Sequence, residues 1–284
     1  MTSERAMSTE LSLLHLTTAR LDWLSPQGAA ALRRWSDVAM TGQSGAPGCT
    51  ISGDLHRLRW WMTGAPESVA RFGAAFWQSS GAEGAAEDLM EWSAVAGGSS
   101  GGVWLEVAPH GVDSGWWVEG AVPLDQALEG ESAEGSVSRW AASAGVNHAA
   151  SIGWSVRGLG EGLELAIELP GDDAGQRLDE FEDLLVAVDA EERPPLQALA
   201  RLEAGGASDA SARILLDDSG VEEVAVSSGV AVSTEVLVGL LDDLGLPTAE
   251  HHAWVQGVLQ VVSPTRISVG TELEVDYLVG DLEA

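Results

Sequence analysis

The sequence predicts an α+β fold: a ten-stranded antiparallel barrel built from five strand pairs, with helices ringing its outside. Three observations carry this. From about residue 50, segments of period-two alternation come in pairs, and every pair but the last is followed by helical patterns. Within the strands, one phase is mainly apolar and the other holds the polar and charged residues. An antiparallel sheet this long, covered by helices on one face, tends to curl, and closure removes both exposed edges. The competing arrangement is two open α+β sheets, each helix-covered on one face and wet on the other.

Residues 1–48 read as an N-terminal helical segment and residues 49–284 as a repeated ββαα barrel domain. Thr9 to Asp22 sets Leu11, Leu14 and Leu16 near helical spacing. Ser25-Pro26 opens a second helix through Arg34 and Val38, because proline suits the first helical turn. The Gly/Ser/Pro stretch Thr41 to Gly48 ends that region. Thr50 to Ser52 and Leu55 to Thr63 make the first strand pair, followed by a helix from Ala65-Pro66-Glu67 to about Trp77 and another over Ala85 to Val95. Gly102 to Ala108 and Gly115 to Val122 form the second pair, with His110 to Ser114 as the turn. Helical pieces near Leu124 to Leu128 and over Ser136 to Ala144 follow.

The third pair, Ala149 to Arg157 and Gly162 to Leu169, joins around Gly158 to Glu161. Helices Asp173 to Val188 and Pro195 to Glu203 come next. Ser211 to Asp217 and Val221 to Ser227 make the fourth pair across Asp218-Ser219-Gly220. Helices Ser233 to Leu244 and Thr248 to Val262 then run to the stop at Ser263-Pro264. Arg266 to Gly270 and Glu272 to Val279 are the fifth pair.

The alternation says which side faces in. Leu58, Trp60 and Met62 oppose Arg57, Arg59 and Trp61; Val103, Leu105 and Val107 oppose Trp104 and Glu106; Ile214 and Leu216 oppose Arg213, Leu215 and Asp217. In a closed barrel the polar faces line the lumen. Ten strands enclose more than the eight-stranded kind that side chains alone fill, which leaves space for solvent or ligand.

Composition narrows the function classes. With 284 residues and 45% hydrophobic content, the chain is no disordered acidic tail. Its 14 Lys+Arg against 44 Asp+Glu, a formal charge of -30, oppose nucleic acid and anionic membranes as partners. All the basic residues are Arg, so mechanisms that need a Schiff-base or P-loop lysine are excluded. Cys49 is the sole cysteine, which forbids an internal disulfide and fits a reducing compartment. Glu4, Arg5 and Glu10 precede the first apolar stretch, so a signal peptide is not expected and the reading is cytoplasmic. His251 and His252 are neighbours on a helix and point apart, and no metal site is assigned.

The recurring order of strand pairs and helices over about residues 50–284 resembles the ABBA or PT-barrel prenyltransferases. The resemblance implies an active site inside the barrel, where an allylic group passes from a diphosphate to an aromatic small molecule or a peptide side chain. Such chemistry needs cations for the diphosphate, aromatic walls for the allyl cation and a carboxylate for the acceptor. The candidates are Arg57, Arg59, Arg157, Arg213 and Arg266 for the diphosphate, Trp61, Trp104 and Trp117 for the wall, and Glu106 to orient the acceptor.

The chain departs from the family in having no Lys, and its single Tyr277 lies on the outward phase. Inward acids Glu119, Glu164, Glu168, Asp217, Glu223, Glu274 and Asp276 outnumber the inward arginines and could pair with them. Surplus carboxylates holding magnesium would reconcile the acids with a diphosphate, although no spacing demands the ion. The alternative function is a non-catalytic peptide- or ligand-binding or scaffold protein on the same fold.

Three motif-like stretches carry no chemistry. Gly158, Gly160 and Gly162 sit between two strands and read as a turn. Gly98 to Gly102 reads as a flexible linker or lid ahead of a strand. The acids of Asp179 to Asp183 flank Phe181 and fall mostly on the solvated side of their helix.

Overall fold

The computed structural model describes residues 21–39, 45–78, 82, 84–131, 133–157, 162–190, 193–206, 209–229, 233–256 and 264–278. The expected helix over Thr9 to Asp22, the Gly158 to Glu161 connection and the end of the helix expected to reach Val262 lie outside those residues, wholly or for the most part.

Ten strands form one closed antiparallel barrel: β1 (Ala46–Ser52), β2 (Leu58–Gly64), β3 (Ser100–Ala108), β4 (Gly111–Pro123), β5 (His148–Arg157), β6 (Leu163–Glu168), β7 (Ser211–Asp217), β8 (Gly220–Ser228), β9 (Arg266–Val269) and β10 (Leu273–Leu278). Each strand pairs with its chain neighbours, and β1 closes on β10 with Thr50 opposite Asp276 and Ile51 opposite Val275. The two-open-sheet arrangement is therefore overturned. Closure satisfies the backbone donors and acceptors that an open sheet would leave at its edges.

Helices α1 (Pro26–Ala39), α2 (Pro66–Trp77), α3 (Ala85–Ala96), α4 (Leu124–Ala127), α5 (Glu134–Ala144), α6 (Ala174–Ala187), α7 (Leu196–Ala204), α8 (Thr234–Asp243) and α9 (Thr248–Trp254) connect or cover the strands among the described residues. Local chemistry sets several ends. Asp173 caps α6 by accepting from the Gln176 amide at 2.9 Å, and Ser233 caps α8 from the Val236 amide at 3.3 Å. Gly97 ends α3 at φ 59°, the left-handed conformation that favours glycine at a helix C-terminus. None of these helices is long and apolar enough to cross a membrane.

The core lies between barrel and helices. Leu58, Trp60 and Met62 of β2, with Val103, Leu105 and Val107 of β3, are buried in one cluster with Trp35 of α1 and Phe72, Phe76 and Trp77 of α2. Trp35 packs edge-on against Phe72 and Phe76, with ring centroids 4.7 and 5.2 Å apart. Each such side chain contributes about 1.5–3 kcal/mol by leaving water, so this layer, not the lumen, supplies most of the stabilisation. Tyr277 belongs to it, buried beside His251.

Several boundaries differ from the sequence expectation for physical reasons. β1 begins at Ala46, ahead of the expected domain division at 48/49. β4 begins at Gly111, because the β3–β4 ladder continues through Glu106 opposite Asp113, Val107 opposite Val112 and Ala108 opposite Gly111. The expected turn His110 to Ser114 is thus mostly strand, and Pro109-His110 makes the reversal. The expected flexible linker Gly98 to Gly102 is in its second half strand β3, where a Cβ on Gly101 would stand 3.0 Å from the Trp117 carbonyl oxygen. Asp179, Glu182 and Asp183 are exposed as expected.

Candidate active site

Alternate residues of each strand face the lumen, and on β1 to β4 they pair tryptophan with glycine. The Trp61 ring covers Gly48 of β1, the Trp104 ring covers Gly115 of β4, and the Trp117 ring covers Gly102 of β3. At each glycine a Cβ would collide with the indole. The missing side chains let three rings lie flat against the barrel wall. Trp61 stands opposite Trp104 across the β2–β3 ladder, and Trp61 meets Trp117 edge-on with centroids 6.2 Å apart. The Trp61 indole N–H donates to Thr50 Oγ1 at 3.2 Å, and Thr50 donates in turn to Asp276 at 2.6 Å.

Toward the hairpin end of the barrel the lumen becomes charged. Arg59 Nε donates to Glu106 at 3.0 Å, its Nη1 lies 3.7 Å from Glu164, and its guanidinium carbon sits 4.4 Å above the Trp104 ring centroid. Arg213 pairs with Glu274 and reaches Glu223 at 4.0 Å. Arg57, at the β1–β2 connection, spans Glu272 at 2.9 Å and Glu274 at 2.8 Å. Each of these three arginines therefore bridges two acids. Side-chain exposures of 18% for Arg59, 13% for Glu106 and 33% for Glu164 show that water reaches this zone.

Burial and pairing set the protonation states. Burial alone would weaken the charge on Arg59 and Arg213, but the surrounding glutamates more than reverse this and raise both. Burial would likewise raise Glu274, yet Arg213, Arg57 and Arg59 hold it well below the usual carboxylate range. Asp113 and Asp276 behave oppositely. Burial pushes Asp113 up to about 6, helped by the Glu106 charge and resisted by hydrogen bonds from Ser155 and the Ser114 amide and by Arg59. Burial also raises Asp276, resisted by Thr50 and Arg266.

No family model and no curated protein matches this sequence. Solved structures do match in shape. AnaPT from Neosartorya fischeri superposes with a TM-score of 0.62 at 10% identity, over 99% of this chain and 94% of that one. The 6-dimethylallyltryptophan synthase from Micromonospora olivasterospora, in complex with DMASPP and Trp, gives 0.65 at 11% identity over 98% of both chains. A further 6-dimethylallyl tryptophan synthase gives 0.66 at 10% identity over 98% and 96%. The chain has the PT-barrel fold.

In this PT barrel, Trp61, Trp104, Trp117, Arg59, Glu106 and Arg213 share the lumen face, with Arg57 at its mouth. Arg266 is not part of the cluster: it lies exposed at the head of β9, its backbone opposite Asp276. Arg157 ends β5, and its side chain lies outside the described residues. Sequence reasoning missed Asp113 because it lay in an assumed turn, although its place two residues before Gly115 gives it the lumen phase. It also missed Thr50 and the glycine partners. The alternation Gly102-Val103-Trp104 and Gly115-Trp116-Trp117, with glycine and tryptophan on one phase, was the available signal. Among the described residues, no group of three or more His, Cys, Asp or Glu side chains is arranged to hold a metal ion.

Proposed function

We propose that this PT barrel transfers an allylic group from a diphosphate donor to a flat aromatic acceptor of indole type held in the lumen. One observation carries the reading: Trp61, Trp104 and Trp117 converge on one wall beside the Arg59–Glu106 pair. Indole faces attract a delocalised cation, and a lumen lined by them shields it from water. The acceptor ring stacks on the Trp61–Trp117 side of this wall, since Arg59 covers Trp104, and Glu106, fixed by Arg59, accepts the acceptor's N–H and so increases the electron density of its ring. The fold supports the reading, since a structure of like shape is a complex with DMASPP and Trp. A peptide acceptor would have to thread past the ion-paired mouth at Arg57, Glu272 and Glu274, which favours a free small molecule.

The donor must draw arginines away from acids. A diphosphate offers charge-assisted bidentate contacts that compete with carboxylates, and the released acids take up protons or a cation. Incubation with dimethylallyl diphosphate and tryptophan or indole, followed by mass spectrometry for an acceptor gaining one prenyl unit, tests the proposal. Absence of product, with magnesium and without, overturns it. A second reading, a ligand-binding barrel without catalysis, is favoured by the engagement of Arg57, Arg59 and Arg213 with two acids each. Calorimetry showing indole binding with no diphosphate binding would select it.

A further inference from the structure

Glu106 and Asp113 stand directly opposite each other across the β3–β4 ladder, both on the lumen face, yet their surroundings differ. Glu106 is held by the Arg59 guanidinium at 3.0 Å. Asp113 has no arginine within ion-pairing distance among the described residues; its partners are the Ser155 hydroxyl, 2.9 and 2.8 Å from its two oxygens, and the Ser114 amide at 2.6 Å from Oδ1. A serine hydroxyl has one proton to give, so Asp113 keeps at least one oxygen with a free lone pair. Two neighbouring carboxyl groups with different partners, one held by an arginine and one not, can divide the acid–base work between them.

We infer that Asp113 is the base that removes the ring proton of the acceptor, while Glu106 orients the acceptor without taking that proton. The assignment rests on the transfer reading above. Asp113, Gly115 and Trp117 are successive lumen positions of β4, and the Trp104 ring covers Gly115. Asp113 thus stands one lumen position, about 7 Å along the strand, from the ring that forms the wall. Trp104 itself is covered by Arg59, but an acceptor whose N–H is held by Glu106 lies beside Asp113, which stands directly opposite across the ladder.

The step balances. The allylic C–O bond breaks and its electron pair leaves with the diphosphate. A π pair of the acceptor ring forms the new C–C bond, the C–H pair returns to the ring, and the proton goes to Asp113, which passes it to lumen water. Asp113's affinity for protons, near pH 6, leaves it mostly ionised at neutral pH yet basic enough to accept. Among the described residues, the charged groups acting on it are Glu106, which raises that affinity, and Arg59, which lowers it. His110 at the hairpin tip is exposed, and from β5 the neutral Ser155 faces it.

The test compares wild type, Asp113→Asn and Ser155→Ala with dimethylallyl diphosphate and tryptophan between about pH 5 and 8, reading prenylated product and released diphosphate separately. Wild-type transfer should fall on the acid side. Asp113→Asn should lose roughly 10²–10⁴-fold in transfer while still releasing diphosphate, and should show a ring-deuterium isotope effect larger than wild type. Ser155→Ala removes a hydrogen bond that favours the ionised form, so it should stay active with its acid limb moved to higher pH. An Asp113→Asn protein with the wild-type rate and pH profile, or a Ser155→Ala profile that does not move, overturns the assignment and leaves the transfer reading standing. A wild-type protein that prenylates no acceptor overturns both.

Discussion

Replacing Glu274 by glutamine asks directly what the lumen arginines are held by. Glu274 has a side chain only 4% exposed and takes charge-assisted contacts from both Arg57 and Arg213. Without its charge, Arg57 retains Glu272 at 2.9 Å and Arg213 retains Glu223 at 4.0 Å. Removing one partner from a buried ion pair costs about 3–5 kcal/mol. Because the two guanidiniums are 23% and 17% exposed, and a glutamine carbonyl still accepts one N–H, about 2–3 kcal/mol should remain. The effect on anion binding has the opposite sign. A unit charge at 4 Å is worth about 4 kcal/mol at an effective dielectric near 20, and even a third of that is tenfold in affinity. Urea unfolding should therefore show a less stable variant, and calorimetry with inorganic diphosphate should show binding at least about tenfold tighter than wild type. A variant that is destabilised yet binds diphosphate no better would refute the idea that carboxylates occupy the donor site.

Further outcomes are expected from other parts of the barrel. Gly102→Ala pushes a Cβ into the Trp117 ring and should cost about 1–3 kcal/mol, a penalty that shrinks in a Trp117→Ala background; additivity in that double-mutant cycle counts against the indole-on-glycine wall. The folded-state pKa of Asp113 is near 6, above the unfolded value of about 3.9, so its ionisation removes stability as pH rises through that window. Asp113→Asn should thus gain about 1–2 kcal/mol at pH 7 after allowance for solvent screening, and little near pH 4; equal melting shifts at both pH values sink the argument. Burial pushes His251 down to about 4, where it sits against the Tyr277 hydroxyl at 3.3 Å. The unfolded chain binds that proton from about pH 6.5, so stability falls as pH drops from there toward 4, and His251→Gln should flatten that slope in thermal melts.

Much of the fold was legible before any coordinates. The alternation of Leu58, Trp60 and Met62 against Arg59 and Trp61 names the two faces of β2 correctly, because a strand's period of two is unaffected by what packs on it. The start of β4 was not legible: Gly111, Asp113 and Ser114 are turn-forming residue types, and the pairing with β3 overrides that local preference. Among the candidate residues, Arg59, Glu106 and the three tryptophans fell on one face together. Arg266 shares their phase but sits at a strand end, where phase no longer guarantees enclosure.

By itself, then, the sequence determined the strand pairs, the apolar face that helices cover and the phase of most inward residues, since these follow from spacing along one chain. Tertiary structure alone decided that β1 meets β10, that Glu274 meets both Arg213 and Arg57, and that Trp61, Trp104 and Trp117 each lie on a glycine of a neighbouring strand. Those contacts join residues such as Thr50 and Asp276, 226 positions apart, and no periodicity within a strand encodes them. They arise when closure brings two distant faces into one enclosed space, where opposite charges must pair and large rings must find room.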